Sequence, residues 1–173
     1  MRFYFPFVTL LVCAAAQSTI LVDLNQNIAP QITKLSADVE GFPDSGLDGA
    51  LAIDTDSKDL VNIFDSAAEN ARNEGSFSFA DGVTILADLS PITNTMTGIL
   101  DGLSAKKDDF NQLVLPAGSL ILSDLQKLNQ SSIEYLDALV ADSPTAQVPP
   151  FVAVRTTWAS AFAQTLADYA SEA

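Results

Sequence analysis

Residues 53–65 read IDTDSKDLVNIFD, and whether they form a loop or a helix decides the fold. Asp54, Asp56 and Asp65 stand at positions 1, 3 and 12 of a calcium-loop count. An EF-hand loop needs oxygen ligands there, another at position 5, and a turn-forming Gly at position 6. Positions 5 and 6 hold Lys58 and Asp59 instead. On a helical wheel Asp54 and Asp56 diverge by about 160°, so their carboxylates do not converge on one ion. Ile53, Leu60, Phe64, Ala67 and Ala71 fall within one narrow arc of the same wheel. Asp54 and Lys58 form an i,i+4 pair of the kind that supports an exposed helix face. The stretch is a helix, and no metal site is expected.

The same periodicity extends in both directions. Upstream, Leu21, Leu24, Ile28, Ile32, Leu35, Val39 and Phe42 make a first stripe, with Pro30 as a kink or restart. The second helix ends before Asn73-Glu74-Gly75. A third opens at Ser78-Phe79-Ala80-Asp81, a capping-box variant, and runs through Val83, Leu86, Leu89, Met96, Leu100 and Leu103, with a kink expected at Pro91. Asp108 to Gly118 reads as a loop that tucks in Phe110, Leu113, Val114 and Leu115. A fourth helix, from about Ser119, carries Leu122, Leu125, Leu128, Leu136 and Leu139. Pro149-Pro150 bracket the last connection, and a fifth helix presents Phe151, Val154, Trp158, Phe162, Leu166 and Tyr169. The expected fold is all-α: one bundle of about five long amphipathic helices, with room for an apolar cavity between them.

The chain of 173 residues is long enough for one domain with a real core. It starts with MRFYFPFVTLLVCAAAQ, which reads as a secretory signal: Arg2, an apolar centre from Phe3 to Val12, and small residues at Ala14 to Ala16. The apolar run is too short for a transmembrane anchor. The expected division is 1–16 signal and 17–173 a single helical domain. Removing the signal takes Cys13 with it and leaves seven basic residues against 22 acidic, a charge of −15. The sequence has no histidine. The usual general base and the thiol nucleophile are therefore missing from the mature chain, and no enzyme or cofactor is expected. The acidity disfavours nucleic acid and anionic membranes as partners. The end, TLADYASEA, has no hydrophobic tail for a GPI anchor. Gly98-x-x-x-Gly102 lies in a soluble helix and indicates close packing.

Four stripes contain a hydroxyl near their centre: Ser57, Thr93, Ser132 and Thr165. Two readings stay open. A helical Ser or Thr can bond its own i−4 carbonyl and be buried without function. Alternatively, it can face an internal cavity and bond the head group of a largely apolar ligand. The apolar stripes share this ambiguity between filled core and tunnel. The candidate lining is Ser57, Leu60, Phe64, Leu86, Thr93, Met96, Leu125, Ser132, Leu136, Trp158, Phe162 and Thr165. Phe79 and Tyr169 belong to the same aromatic set, whose default is ordinary core. Asn129-Gln130-Ser131 is an N-glycosylation sequon, placed in mid-helix where modification is disfavoured.

The run GLDGALAIDTDSKDLVNIFDSAAENA, then AKKDDFNQL and LILSDLQKLNQSSIEYLDALVADSP in order, resembles a family of fungal secreted proteins. This is the hydrophobic-surface-binding protein A and cell-wall galactomannoprotein family, and the similarity covers roughly Ile20 to Tyr169. The resemblance implies a helical bundle, an extracellular or wall location, and affinity for hydrophobic material. Two functions follow from it. One is a module that holds a fatty acid or similar apolar molecule inside the bundle. The other is a protein that adsorbs to hydrophobic surfaces and recruits a secreted polyester hydrolase. At −15, such recruitment is expected to prefer a basic patch on the hydrolase and to weaken with salt.

Overall fold

A computed structural model describes residues 18–113 and 117–170. The signal segment, Cys13, Val114 and Leu115 lie outside the described residues. The first helix, α1, spans residues 19–41 and changes pitch along its length. Asp23–Ile28 form a π turn, in which the Ala29 amide donates to the Leu24 carbonyl, and α-helix resumes over Ala29–Gly41. Pro30 has no amide proton to give to the previous turn, and the wider turn upstream absorbs the change of register. The expected restart is therefore present without a break in the helix.

Helix α2 spans Gly46–Glu74 and contains the whole of IDTDSKDLVNIFD. Gly75, at φ 73°, ends it in a conformation that favours glycine. Helix α3, Phe79–Ala105, starts at Ser78, whose Oγ accepts from the Asp81 amide at 3.1 Å and donates to Asp81 Oδ2 at 2.6 Å. It passes through Pro91 as a continuous helix. Part of the expected loop is a short helix, α4, Lys107–Asn111, and its Phe110 is fully buried as anticipated. Helix α5 spans Ala117–Asp142 and α6 spans Val148–Ala170. Pro149 and Pro150 sit inside the first turn of α6, where their missing amides break no intrahelical bond.

The five long helices follow one another around a ring in the order α1, α2, α5, α6, α3, with α3 closing on α1. Three of these neighbouring pairs run parallel. Across α1 and α3, Asn25 bonds Asp88 and Lys106 reaches the Val39 carbonyl. Across α2 and α5, Asp54 meets Asp124 and Phe64 meets Tyr135. Across α3 and α6, Trp158 bonds Thr93, Thr165 bonds the Leu100 carbonyl, and Tyr169 bonds the Leu103 carbonyl. Each end of the ring is closed by an aromatic pair. Phe42 and Phe110 stack at 4.0 Å and 9° at one end, and Phe77 and Phe151 pack edge-on at 5.6 Å at the other. Lys106 also caps α1, donating to the Val39 and Glu40 carbonyls.

The early part of α3 differs from its sequence reading. Its inward stripe is Ile85, Leu89, Ile92, Met96, Ile99 and Leu103, whereas Val83 is 51% exposed and Phe79 59%. Phe79 is thus not core, because its position at the helix start turns it towards solvent. Of the two glycines read as packing residues, only Gly102 meets a neighbour. A Cβ there would lie 3.0 Å from Val39 Cγ1, while Gly98 opens onto a groove between α1 and α3.

Candidate functional site

Ten of the twelve candidate lining residues are buried: Ser57, Leu60, Phe64, Met96, Leu125, Ser132, Leu136, Trp158, Phe162 and Thr165. Leu86 and Thr93 are half-buried at the rim of the core. The centre of the ring is an aromatic cluster. Phe64 meets the Trp158 ring edge-on at 5.8 Å and the Tyr135 ring, tilted, at the same distance. Trp158 Nε1 donates to Thr93 Oγ1 at 2.9 Å, joining α6 to α3 through the only indole of the chain.

Three of the four hydroxyls have a hydrogen-bond partner within the chain, and Ser57 is buried on the inward face of α2. Ser132 donates to the Asn129 carbonyl at 3.2 Å within its own helix. Thr165 lies between the Ala161 carbonyl at 3.1 Å and the Leu100 carbonyl across the interface at 3.3 Å. Both are held by backbone. Thr93 instead serves the indole. Thr93→Val is expected to cost about 1–3 kcal/mol, because the isosteric change leaves a buried N–H unpaired. The urea midpoint should fall without a change in the slope of the transition.

Tyr135 was not among the candidates, and its hydroxyl is one of the buried polar groups left without a partner, together with one carboxylate oxygen each of Asp56 and Asp124. Its ring is completely buried, and its hydroxyl has no hydrogen-bond partner. Burial, aided by the nearby negative charge of Asp23, pushes its pKa far up, so the phenol stays protonated and acts as a donor. Asp23 sits in the π turn, buried, and accepts from Asn27 and from Asn70 of α2, both at 2.9 Å. The sequon residue Asn129 is in mid-helix and half-buried, and Ser131 beside it is buried.

Two carboxyl pairs flank the cluster on α2. Asp56 is buried and receives Lys34 Nζ at 2.6 Å, with the Gln31 amide on its backbone carbonyl. Its contact with Asp38 raises the Asp38 pKa through a shared hydrogen bond, burial and charge repulsion. On the α5 side, Asp124 is buried against Asp54. Burial first, then the hydrogen bond and repulsion from Asp54, push Asp124 up to about 6, against the opposing pull of Lys58 and Lys127. Burial also works to raise Asp54, but its bonds from Lys58 and Asp124 outweigh it and hold the group low. The Lys58–Asp54 pair, 2.6 Å apart, is the i,i+4 bridge expected from sequence. Asp65, the third acid of the calcium count, is exposed on the same continuous helix. No group of three or more His, Cys, Asp or Glu side chains among the described residues is arranged to hold a metal ion.

Three open clefts among the described residues lie on the outside of the ring, and none is lined by a candidate residue. The eight apolar candidates belong to one continuous hydrophobic cluster, packed as protein interiors are. A ligand would have to part them. Exposed apolar side chains collect at the two ends of the ring: Leu47, Leu51 and Leu120 at one, Phe79, Val83 and Val152 at the other. No helix among the described residues is long and apolar enough to cross a membrane.

Comparison with known proteins gives a consistent result. Residues 17–141 match the family model of hydrophobic surface binding protein A. No curated protein matches the chain. Among solved structures, Afmp4p in complex with palmitic acid superposes with a TM-score of 0.80 at 26% identity, covering 87% of this chain and 97% of that one. Ligand binding domain 2 of the Penicillium marneffei MP1 protein, complexed with multiple arachidonic acids, superposes at 0.81 with 13% identity, over 91% and 98% of the two chains. Domain 1 of the same protein, complexed with arachidonic acids, gives 0.78 at 12%, over 87% and 97%. The two MP1 domains establish that the fold is shared.

Proposed function

Because the chain belongs to the hydrophobic surface binding protein A family, we propose that it is a secreted, non-enzymatic carrier that takes a fatty acid or related lipid between its helices. The observation that carries this reading is the match over nearly the whole length of Afmp4p, a protein solved with palmitic acid. The ring of five helices around one apolar cluster supports it. The twelve candidate residues are the proposed lining, with Phe64, Met96 and Trp158 at its centre. Met96 suits a site that must repack, since its unbranched chain adapts to irregular space. Delipidated protein titrated with a fluorescent fatty acid is expected to bind at micromolar concentration or tighter. Absence of binding in that range would sink the carrier reading.

The exposed apolar ends of the ring favour a second role. Leu47, Leu51 and Leu120 form one apolar end through which the protein can rest on a hydrophobic solid and hold a polyester hydrolase there. Failure to adsorb to polyester particles, or adsorption that leaves hydrolase retention unchanged, would remove this second role and leave the first intact.

A further inference from the structure

We infer that the Tyr135 hydroxyl is the donor to the ligand's head group and that the bundle takes this head group uncharged, as an ester, an alcohol or a protonated acid. The inference rests on the carrier reading and specifies its polar end. A buried hydroxyl without a partner is costly, and Tyr135 carries one against the central aromatic cluster of the ring. A carbonyl oxygen from a bound lipid would satisfy it, while the acyl chain replaces contacts among apolar side chains.

The charges around the site decide the state of that head group. Every buried charged side chain among the described residues is an acid: Asp23, Asp56 and Asp124. Among the described residues no Lys or Arg is buried. Facing Tyr135, α1 supplies the Asp23 carboxylate, while α2 supplies Phe64 and the uncharged Asn70 that bonds Asp23. From α6, Trp158 meets the Phe64 ring of α2, and Arg155 pairs with Asp137 of α5 in a partly exposed bridge. The Arg72–Glu134 pair between α2 and α5, 3.9 Å apart, is about half exposed. A lipid carboxylate at this hydroxyl would meet a negative neighbour in low dielectric with no cation to offset it. An uncharged carbonyl would not.

The test uses the mature protein with cis-parinaric acid and its methyl ester as probes. At about pH 8 the ester is expected to bind at least about tenfold more tightly, and the gap should close towards about pH 5 as the bound acid takes up a proton. Tyr135→Phe should weaken ester binding about three- to tenfold, while its melting temperature stays level or rises because an orphaned hydroxyl has gone. Equal binding of acid and ester at the higher pH would overturn the uncharged head group. Unchanged ester affinity in Tyr135→Phe, or a lowered melting temperature, would overturn the donor role and assign the hydroxyl to internal structure. In each of those cases wild-type binding survives and the carrier reading stands. Binding of neither probe by wild type would remove both.

Discussion

Trp158→Ala is expected to destabilise the protein by about 3–5 kcal/mol, the range for deleting a fully buried large aromatic. Trp158 has no exposed surface, packs edge-on against Phe64, and gives its indole proton to Thr93. The alanine variant loses all three contributions and leaves a cavity between α2, α3 and α6. At about 2–4 °C per kcal/mol for a domain of this size, the melting temperature should fall by at least 6 °C. A loss below about 1 kcal/mol would mean that the ring closes around the gap, and that its centre is far more plastic than its packing indicates. Leu86→Ala, at the half-buried rim, is the control and should cost much less.

The second large effect is on the pH dependence of stability, through Asp124. Its pKa is about 6 in the folded protein against an ordinary value of 3.8. Below both values the proton is bound in either state. Between about pH 4 and 6 the folded chain keeps a proton that the unfolded chain has released, so the contribution of Asp124 to stability falls as pH rises through that window. Above it, a constant penalty on the order of 1–3 kcal/mol remains. Asp54 works in the opposite sense: its lowered pKa stabilises the fold above its ordinary value and loses that contribution on acidification. Asp124→Asn removes the first effect. Its melting temperature should exceed that of wild type at neutral pH, and the two curves should converge towards pH 4. Parallel curves across this range would show that Asp124 does not hold the proton. Since α2 and α5 face each other at this pair, the penalty above pH 6 falls on the seam between these two helices.

Much of this arrangement was legible from residue spacing alone. The stripe Ile53, Ser57, Leu60 and Phe64 does face inward, Ser78 does cap α3, and Lys58 does bridge to Asp54. What escaped notice was the polar content of the same stripes. Tyr135 stands seven residues after Leu128, within about 20° of its direction on the helix, so periodicity places it inside. Asp124 precedes Leu128 by one turn and shares that face. Asp56 lies within about 60° of Ile53 and is buried beside Lys34. In each case polarity suggested solvent, although a carboxyl can be buried when a lysine or a second carboxyl sits opposite it. The start of α3 failed for a different reason. On the wheel Val83 and Leu86 stand about 140° and 80° from Met96, whereas Ile85 and Leu89 stand within about 20° of it. The spacing itself favours the observed stripe, and Val83 entered the expected one for its apolarity alone. The π turn has no single-residue signature either: Pro30 marks a disturbance without specifying its form.

The parallel pairing of α3 with α6 has a consequence for how the chain reaches its fold. Thr93 to Trp158 and Leu100 to Thr165 are both separated by 65 positions, and Leu103 to Tyr169 by 66. Closing a segment of that length costs about 4 kcal/mol of chain entropy. The cost falls on whichever contact forms first. Because the offset is nearly constant, the others then follow in register at little further loss. Helix pairs that are consecutive in sequence can dock early, but the centre of this ring is assembled only by contacts made across half the domain. The protein should therefore fold more slowly than a bundle whose neighbours all follow one another along the chain.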